Sequence, residues 1–144
     1  MSADDDPVTV LSEDECWSLL SSMSLGRVVT ILGGQPEIFP VNFVTQRRTV
    51  LFRTAQGTKL FSAVMGGRVV FEVDDHTVAE GWSVIVKGTA HLLSANADIL
   101  EAEEAPLVSW PATLKPLYAR VIAMEITGRR FKFGPEPGRE STFA

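Results

Sequence analysis

The sequence predicts a mainly β protein whose antiparallel strands close as a barrel, with flanking helices at the ends of the barrel. Runs rich in Val, Phe, Leu and Thr are separated by short polar or glycine turns, which is typical of strands joined by hairpins. Such short connections exclude parallel pairs, because a parallel pair needs a crossover of a dozen or more residues. Gly88 lies inside a long strand pattern and favours a bulge or bend, as a closed sheet requires.

Six strands and three helices are expected along the chain. Ser12 and Glu15 match a capping box, so the first helix should begin there. Gly33 and Gly34 indicate a hairpin turn, whereas Pro40 inside the next strand indicates an edge, a bulge or a strand start, since proline cannot donate to the ladder. The expected helices cover residues 12–23, 58–65 and 95–104, and the expected strands cover 25–32, 36–44, 49–54, 68–74, 82–92 and 120–133.

One domain is expected for a chain of 144 residues. It should span residues 11–134, after a disordered lead over 1–10 and before a flexible tail over 135–144. No repeat, low-complexity stretch or linker in the sequence marks a further boundary.

The composition and charge of the chain indicate which kinds of partner and which compartment to expect. The net charge of −5 argues against nucleic-acid binding through bulk electrostatics. Cys16 is the single cysteine, so no internal disulfide can form, which favours a reducing compartment. The acidic N-terminus does not resemble a signal peptide, and no apolar run is long enough to span a bilayer. We therefore expect a cytoplasmic protein that contacts neither nucleic acid nor membrane.

Four polar residues gather where a strand ends and a helix begins. Arg53 and Thr54 close the third strand, and Thr58 and Lys59 open the second helix. Two cations, two hydroxyls and the N–H groups of a helix N-terminus would suit a phosphate monoester. The alternative is that all four are ordinary surface residues, in which case Lys59 opposes the helix dipole.

Several well-known catalytic and metal-binding motifs are missing from the sequence. His76 and His91 are the only histidines, and no cysteine pair has the spacing of zinc ligands. The sequence has no Gly-x-Ser-x-Gly elbow, P-loop or Gly-x-Gly-x-x-Gly turn. These absences argue against zinc chemistry, a serine hydrolase and a nucleotide site of the P-loop or Rossmann kind.

The order of motifs resembles that of a known family. It comprises a capped helix, the strands Leu-Gly-Arg-Val and Pro-Val-Asn-Phe, Leu-Phe-Arg-Thr followed by Gly-Thr-Lys-Leu, then Val-Phe-Glu-Val-Asp and Trp-Ser-Val-Ile-Val-Lys-Gly. Over residues 11–133 this order is similar to that of the pyridoxamine 5′-phosphate oxidase-like flavoproteins, in particular their small actinobacterial, nitroimidazole-reductase-like branch. The resemblance implies a six-stranded antiparallel split β-barrel of the FMN-binding type.

The resemblance also implies where a cofactor would lie. FMN would occupy a cleft between the two subunits of a homodimer, with the backbone of Val41 and Asn42 along the isoalloxazine ring. Trp82 and Ser83 would approach the polar edge of the ring, and Trp110 would come from the other subunit. The ribityl chain and the phosphate would be held by Arg53, Thr54, Thr58 and Lys59.

Two departures from the family leave the substrate open. True pyridoxamine 5′-phosphate oxidases carry a basic, tryptophan-containing C-terminal motif that grips the substrate phosphate, whereas this chain continues from Arg129 as Arg-Arg-Phe-Lys-Phe-Gly-Pro. The first helix also lacks the histidine used in the nitroimidazole-reductase-like branch. The resemblance therefore implies neither vitamin B6 oxidation nor nitroimidazole reduction.

The expected function is that of a flavin-dependent oxidoreductase acting on a small molecule, with reducing equivalents from a nicotinamide or a deazaflavin. A flavin performs hydride and electron transfer itself, so no catalytic side chain is assigned. One alternative is a deazaflavin-dependent reductase of the same fold, in which Arg47, Arg48 and Arg68 would add cations for the cofactor's tail. The other is a non-catalytic flavin or haem carrier, or a regulatory dimer, with His76 or His91 as the axial haem ligand.

Overall fold

The computed structural model describes residues 6–107 and 115–135. Within these ranges the chain forms seven strands and three helices. The strands are β1 (Val8–Val10), β2 (Leu25–Leu32), β3 (Gln35–Gln46), β4 (Thr49–Thr54), β5 (Arg68–His76), β6 (Glu80–Leu92) and β7 (Leu117–Lys132), and the helices are α1 (Glu13–Ser21), α2 (Lys59–Gly66) and α3 (Asn96–Glu103).

All strand pairs are antiparallel, and six strands close into a ring. Around the ring the order is β7, β4, β3, β2, β5 and β6, and β6 pairs with β7 to complete it. β7 closes the barrel because its first half pairs with β4 on one edge and with β6 on the other. β1 adds a seventh strand by pairing with the end of β7. The predicted six-stranded antiparallel split β-barrel is confirmed, with this one strand added to it.

The N-terminal lead contains a strand that the sequence does not predict. Residues 1–10 are expected to be disordered, yet Val8–Val10 pair with Arg129–Phe131 of β7. The prediction is therefore wrong for these residues. A segment so short carries no visible strand pattern, and its partner lies at the other end of the chain.

Several further boundaries of the described structure differ from the predicted ones by two or three residues, among them the end of β3 at Gln46 and the start of β7 at Leu117. The expected loop over 75–81 is shorter, because β5 extends to His76 and β6 begins at Glu80. Residues 108–114, which include Trp110, lie outside the described residues, as does the tail beyond residue 135.

Aromatic and β-branched side chains fill the interior of the barrel. Phe43, Phe52 and Phe71 are each at most 1% exposed, and the rings of Phe43 and Phe71 meet edge to face with 4.9 Å between their centroids. α1 adds the fully buried Cys16 and Leu20 to the same core. The interior is thus a packed core, which means that a ligand of any size must lie on the outer surface of the barrel.

The strand pair β6–β7 is irregular at Gly88, where the sequence predicts a bulge. Lys87 lies opposite Glu125, whereas its neighbour Gly88 lies opposite Ala123. Met124 is therefore an extra residue on β7, and it reverses which residues of β7 face inward beyond this point. The irregularity lets the longest strand bend around the barrel.

The bulge predicts that a side chain at Gly88 destabilises the fold. A Cβ atom at this position would lie 2.0 Å from the carbonyl oxygen of Ile122, which belongs to the β7 backbone. We expect Gly88→Ala to lower the free energy of unfolding by about 2–3 kcal/mol in urea denaturation. Gly66→Ala is the control, because nothing lies within 4 Å of a Cβ there. Equal midpoints for the two variants would contradict the prediction.

Candidate functional site

Strands β3 and β4 pair over part of their length and then separate. The last paired residues are Phe43 and Phe52. Beyond them Asn42 pairs with β2 alone, whereas Arg53 and Thr54 pair with β7 alone. One further step of the antiparallel register would place Asn42 opposite Arg53. The barrel is therefore split at this point, and predicted site residues lie on both sides of the split.

The end of β4 carries polar atoms that no described residue satisfies. The Nε atom of Arg53 and the Oγ1 atom of Thr54 are buried and have no hydrogen-bond partner. Leaving a buried polar group without a partner costs about 1–3 kcal/mol, so such groups are uncommon in a finished fold. Arg53 is held from one side by Tyr118, whose ring centroid lies 5.2 Å from the guanidinium carbon. This part of the site therefore has unused hydrogen-bonding capacity.

A tight turn leads from β4 into α2. Gly57 has a φ of +85°, which L-residues with side chains rarely adopt, and Thr58 follows as the N-cap of α2. The Oγ1 atom of Thr58 accepts from the N–H of Phe61 at 3.0 Å and donates to the carbonyl oxygen of Ala55 at 2.8 Å. The hydroxyl of Thr58 is thus already used by the cap, and what it offers a ligand is its position at the start of the helix.

Lys59 completes the group that we call the β4–α2 corner, defined by Arg53, Thr54, Thr58 and Lys59. The first turn of α2 contains no acidic residue, so the positive end of the helix dipole is not offset within the helix. The side chain of Lys59 is 74% exposed, and its Nζ atom lies 3.4 Å from Oε1 of Glu37 on β3. Arg53 thus lies near the end of a strand and Lys59 in the first turn of the helix that follows it.

The residues predicted to contact the isoalloxazine ring lie on different faces of the barrel. Val41 is buried in the core, so only its backbone can meet a ligand. Asn42 lies on the outer face, where its Nδ2 atom donates to the carbonyl oxygen of Ser24 at 3.3 Å. Trp82 packs against the core, whereas Ser83 is partly exposed and lines a shallow outer cavity. Trp82 therefore faces the core rather than the outer surface that carries Ser83, because successive residues of a strand point to opposite faces.

Asn42 and Ser83 share the outer face but are not neighbours. Asn42 lies opposite Leu25, and Ser83 lies opposite Asp74. The strands β2 and β5 separate them, which corresponds to roughly 14 Å at the usual spacing of strands. The structure therefore places Asn42 and Arg53 on the two sides of the split and leaves Ser83 at the far end of a surface about as long as a fused three-ring system.

A charged cluster between these two ends is not among the predicted site residues. On β2 the Nη1 atom of Arg27 donates to Oε1 of Glu72 at 2.9 Å and to Oδ2 of Asp74 at 3.0 Å. Burial and the neighbouring Asp74 raise the pKa of Glu72 to about 7, whereas the hydrogen bond with Glu72 lowers the pKa of Asp74. The signal in the sequence is the spacing of Glu72 and Asp74, which places two carboxylates on one face of a strand.

The cations proposed for a deazaflavin tail do not join the β4–α2 corner. Arg47 and Arg48 form the β3–β4 turn at the opposite end of β4, with φ values of 48° and 54°. Arg47 pairs with Glu101 at 2.9 Å, and Arg48 pairs with Asp14. Arg68 lies elsewhere, beside an apolar groove on the outer face.

Both histidines lie on strands rather than in an enclosed pocket. His76 ends β5, with its ring centroid 6.5 Å from that of Phe133, and His91 shares a hydrogen bond of 3.0 Å with Thr89. Within residues 6–107 and 115–135, no group of three His, Cys, Asp or Glu residues is placed to hold a metal ion. No helix of that part of the chain is long and apolar enough to cross a membrane.

Comparison with known proteins identifies the family. Residues 12–130 match the family model of pyridoxamine 5′-phosphate oxidase. The chain belongs to this family. Within it, an uncharacterized protein of Mycobacterium tuberculosis, Rv3129, is 62% identical over 101 residues, which cover 70% of this chain and 92% of the relative.

Two solved structures of relatives have the same fold. One is the FAD-binding protein of Mycobacterium smegmatis, with 53% identity and a TM-score of 0.78, covering 87% of this chain and 99% of that one. The other is a Corynebacterium glutamicum protein named for pyridoxamine 5′-phosphate oxidase, with 42% identity and a TM-score of 0.82, covering 92% of this chain and 98% of that one. The predicted resemblance to the pyridoxamine 5′-phosphate oxidase family is confirmed.

The Arg27–Glu72–Asp74 cluster predicts a specific dependence of stability on pH. The pKa of Glu72 is raised to about 7 from its ordinary value of 4.5. Between these values the unfolded chain binds fewer protons at Glu72 than the folded protein does, so stability falls as pH rises. Asp74 acts in the opposite direction, but below this range, because its pKa is lowered.

We therefore compare the free energy of unfolding of the wild type with that of Glu72→Gln. The wild-type value minus the variant value should fall by on the order of 1 kcal/mol between pH 5 and pH 8, after allowance for solvent screening. The measurement is urea denaturation at several pH values. Glu103→Gln, on the exposed face of α3, should follow the wild-type curve. Parallel curves for wild type and Glu72→Gln would show that Glu72 does not titrate in this range.

Proposed function

We propose that this protein binds a flavin nucleotide and holds the 5′-phosphate at the β4–α2 corner. The observation that carries the proposal is the buried Nε atom of Arg53, which has no hydrogen-bond partner among the described residues. A phosphate oxygen accepts hydrogen bonds, so it would satisfy this guanidinium N–H from the outer face of the barrel. Lys59 and the N-terminus of α2 would add a charge and a dipole of the sign that favours an anion.

The position of the corner suits the rest of a flavin as well. From the β4–α2 corner the outer face continues along Asn42 to the Arg27–Glu72–Asp74 cluster and Ser83. This surface offers amide, hydroxyl and charged groups for the polar edge of an isoalloxazine ring. The Mycobacterium smegmatis relative described above is an FAD-binding protein, which supports a flavin in this family branch. FMN and FAD both contain riboflavin 5′-phosphate, so the proposed corner applies to either.

A bound flavin would supply hydride or electron transfer, so we propose that the protein is an oxidoreductase acting on a small molecule. In this proposal Arg53 and Lys59 bind the cofactor and Asn42 orients it. The electron donor would be a nicotinamide or a deazaflavin.

We further propose that two copies of the chain enclose the flavin between them. The outer face of the barrel carries large apolar side chains that a monomer would leave in water, including Ile31 at 69%, Ile38 at 61% and Met124 at 74% exposure. Ile31 and Met124 line a groove of about 550 Å³ on this face. An apolar surface of this kind is typical of a protein–protein interface.

A homodimer through this face predicts that a charge there weakens self-association. Ile38→Glu should raise the fraction of monomer in analytical ultracentrifugation, because the carboxylate would lose its hydration in the interface. Val78→Glu is the control, since Val78 is 99% exposed in the β5–β6 turn. A wild-type protein that sediments as a monomer, with or without flavin, would contradict the dimer.

The phosphate contact predicts that Arg53→Ala together with Lys59→Ala weakens FMN binding by at least about a hundredfold, since charge-assisted hydrogen bonds are worth about 1.5–3 kcal/mol each. Fluorescence titration of FMN measures the loss, and thermal denaturation checks the fold. The matched control is Arg47→Asn with Arg48→Asn, which removes the same charge at the other end of β4 and retains a residue that tolerates positive φ.

Unchanged FMN affinity in the Arg53/Lys59 double variant would reject the β4–α2 corner as the phosphate site. The same titration should be repeated with FAD and with a deazaflavin. Retention of the deazaflavin alone would favour the deazaflavin-dependent alternative, and failure to bind any of the three would reject the proposed function.

A further inference from the structure

We propose that the apolar groove on the outer face of the barrel binds a small organic acid, with the apolar body of the ligand on Val29 and Val70 and its acid group beside Lys87. The groove has a volume of about 550 Å³, which is within the usual range for small-molecule sites. None of these three residues belongs to the β4–α2 corner or to the Arg27–Glu72–Asp74 cluster. The inference therefore goes beyond the proposed flavin site.

The pairing of three strands places the residues of this site in one row. Val29 of β2 lies opposite Val70 of β5, and Val70 lies opposite Lys87 of β6. All three line the groove. Neighbouring strands are about 4.8 Å apart, so the row measures roughly 10 Å from Val29 to Lys87. An apolar stretch of this length that ends at a cation matches a ligand with an apolar body and a terminal acid group.

Two exposed apolar side chains extend the same surface. Ile31 of β2 is 69% exposed and Met124, the extra residue of the β7 bulge, is 74% exposed, and both line the groove. Covering these side chains with a ligand removes apolar surface from water, which favours binding. A methionine side chain adapts to ligands of different shape, so the groove does not require one particular ring or chain.

The groove carries two cations that the described part of the chain leaves without an ion pair. Arg68 and Lys87 both line the groove, and neither is within ion-pairing distance of a described carboxylate. Glu125 also lines the groove and lies opposite Lys87 in the β6–β7 ladder, but the two side chains do not pair. The lining thus has two positive charges and one negative charge, in a chain whose net charge is −5. An anion would be favoured here, although the protein as a whole would repel it.

The two cations are not equivalent. Arg68 closely follows the C-terminus of α2, whose last residue, Gly66, also lines the groove. The helix dipole places partial negative charge at this end, and Arg68 offsets it. Lys87 lies in the middle of β6, away from any helix end. Lys87 is therefore the residue expected to contact the acid group, and Arg68 should contribute less.

A second copy of the chain would suit this groove less well than a small acid. Covering the groove with protein would remove the ammonium of Lys87 from water, which costs free energy even when a carboxylate pairs with it. Lysine is accordingly depleted from the cores of protein interfaces. A small acid would meet the exposed Lys87 at the edge of the groove, where the ammonium keeps part of its hydration.

The test uses two fluorescent probes that differ in one acid group. Anilinonaphthalene sulfonate carries a sulfonate, and phenylnaphthylamine is the same ring system without it. In fluorescence titrations we expect Lys87→Gln to weaken binding of the sulfonate probe about fivefold and Arg68→Gln about twofold, with the neutral probe unchanged. Val70→Thr should weaken both probes about threefold, because it removes apolar contact and keeps a β-branched residue in the strand.

The matched control is Lys132→Gln, because Lys132 is another exposed lysine on a strand, at the end of β7 and outside the groove. It should bind both probes as the wild type does. Competition with octanoate and with naphthoate distinguishes an aliphatic from an aromatic acid, and displacement of the sulfonate probe by either supports the proposal. Thermal denaturation confirms that each variant is folded.

The remaining outcomes would overturn the proposal. Equal loss of both probes in Lys87→Gln, no loss in that variant, or the same loss in Lys132→Gln would reject an acid site. If Val70→Thr raised the fraction of monomer in ultracentrifugation but left probe binding unchanged, the occupant of the groove would be a second copy of the chain. Displacement of the sulfonate probe by FMN would assign the groove to the flavin. Failure of the wild type to bind any flavin, with the probe results as expected, would reject only the proposed function.

Discussion

The barrel depends on β7, which pairs with β4 along one edge and with β6 along the other. This double pairing closes the ring and fixes the end of β4 from one side only. Arg53 and Thr54 are held by Tyr118 and Leu117, while β3 has already turned toward β2. Closure of the sheet thus creates the split, and the split leaves polar atoms of β4 without partners. The candidate site is a consequence of how the barrel closes.

Local chemistry made much of the fold predictable. The capping box of Ser12 and Glu15 and the glycine hairpin depend on residues close together in the sequence, and both are present. The irregularity at Gly88 is signalled by a single glycine within a strand pattern, although the extra residue lies on β7. β1 could not be predicted, because Val8–Val10 are a strand only through pairing with the far end of the chain. The same reason explains why seven strands occur where six are expected.

The residues of the candidate site also differ in whether the sequence alone could predict them. Arg53, Thr54 and Lys59 were accessible to sequence analysis because a strand end and a helix start follow each other directly. Tyr118 and Glu37 were not, since they reach the β4–α2 corner only through the pairing of β4 with β7 and through the contact of β3 with α2. The sequence therefore predicts the cations of such a site more readily than the residues that contact those cations in the folded protein.

The packed interior determines where chemistry can take place in this protein. Because Phe43, Phe52 and Phe71 fill the barrel, a flavin would have to lie against its outer face. A flat aromatic ring on an open surface would remain in contact with water, which would weaken its binding and expose its reactive edge. The apolar side chains on the same face, such as Ile38, offer the means to cover it. In the proposed dimer a second copy of the chain would supply the wall that a filled barrel cannot provide.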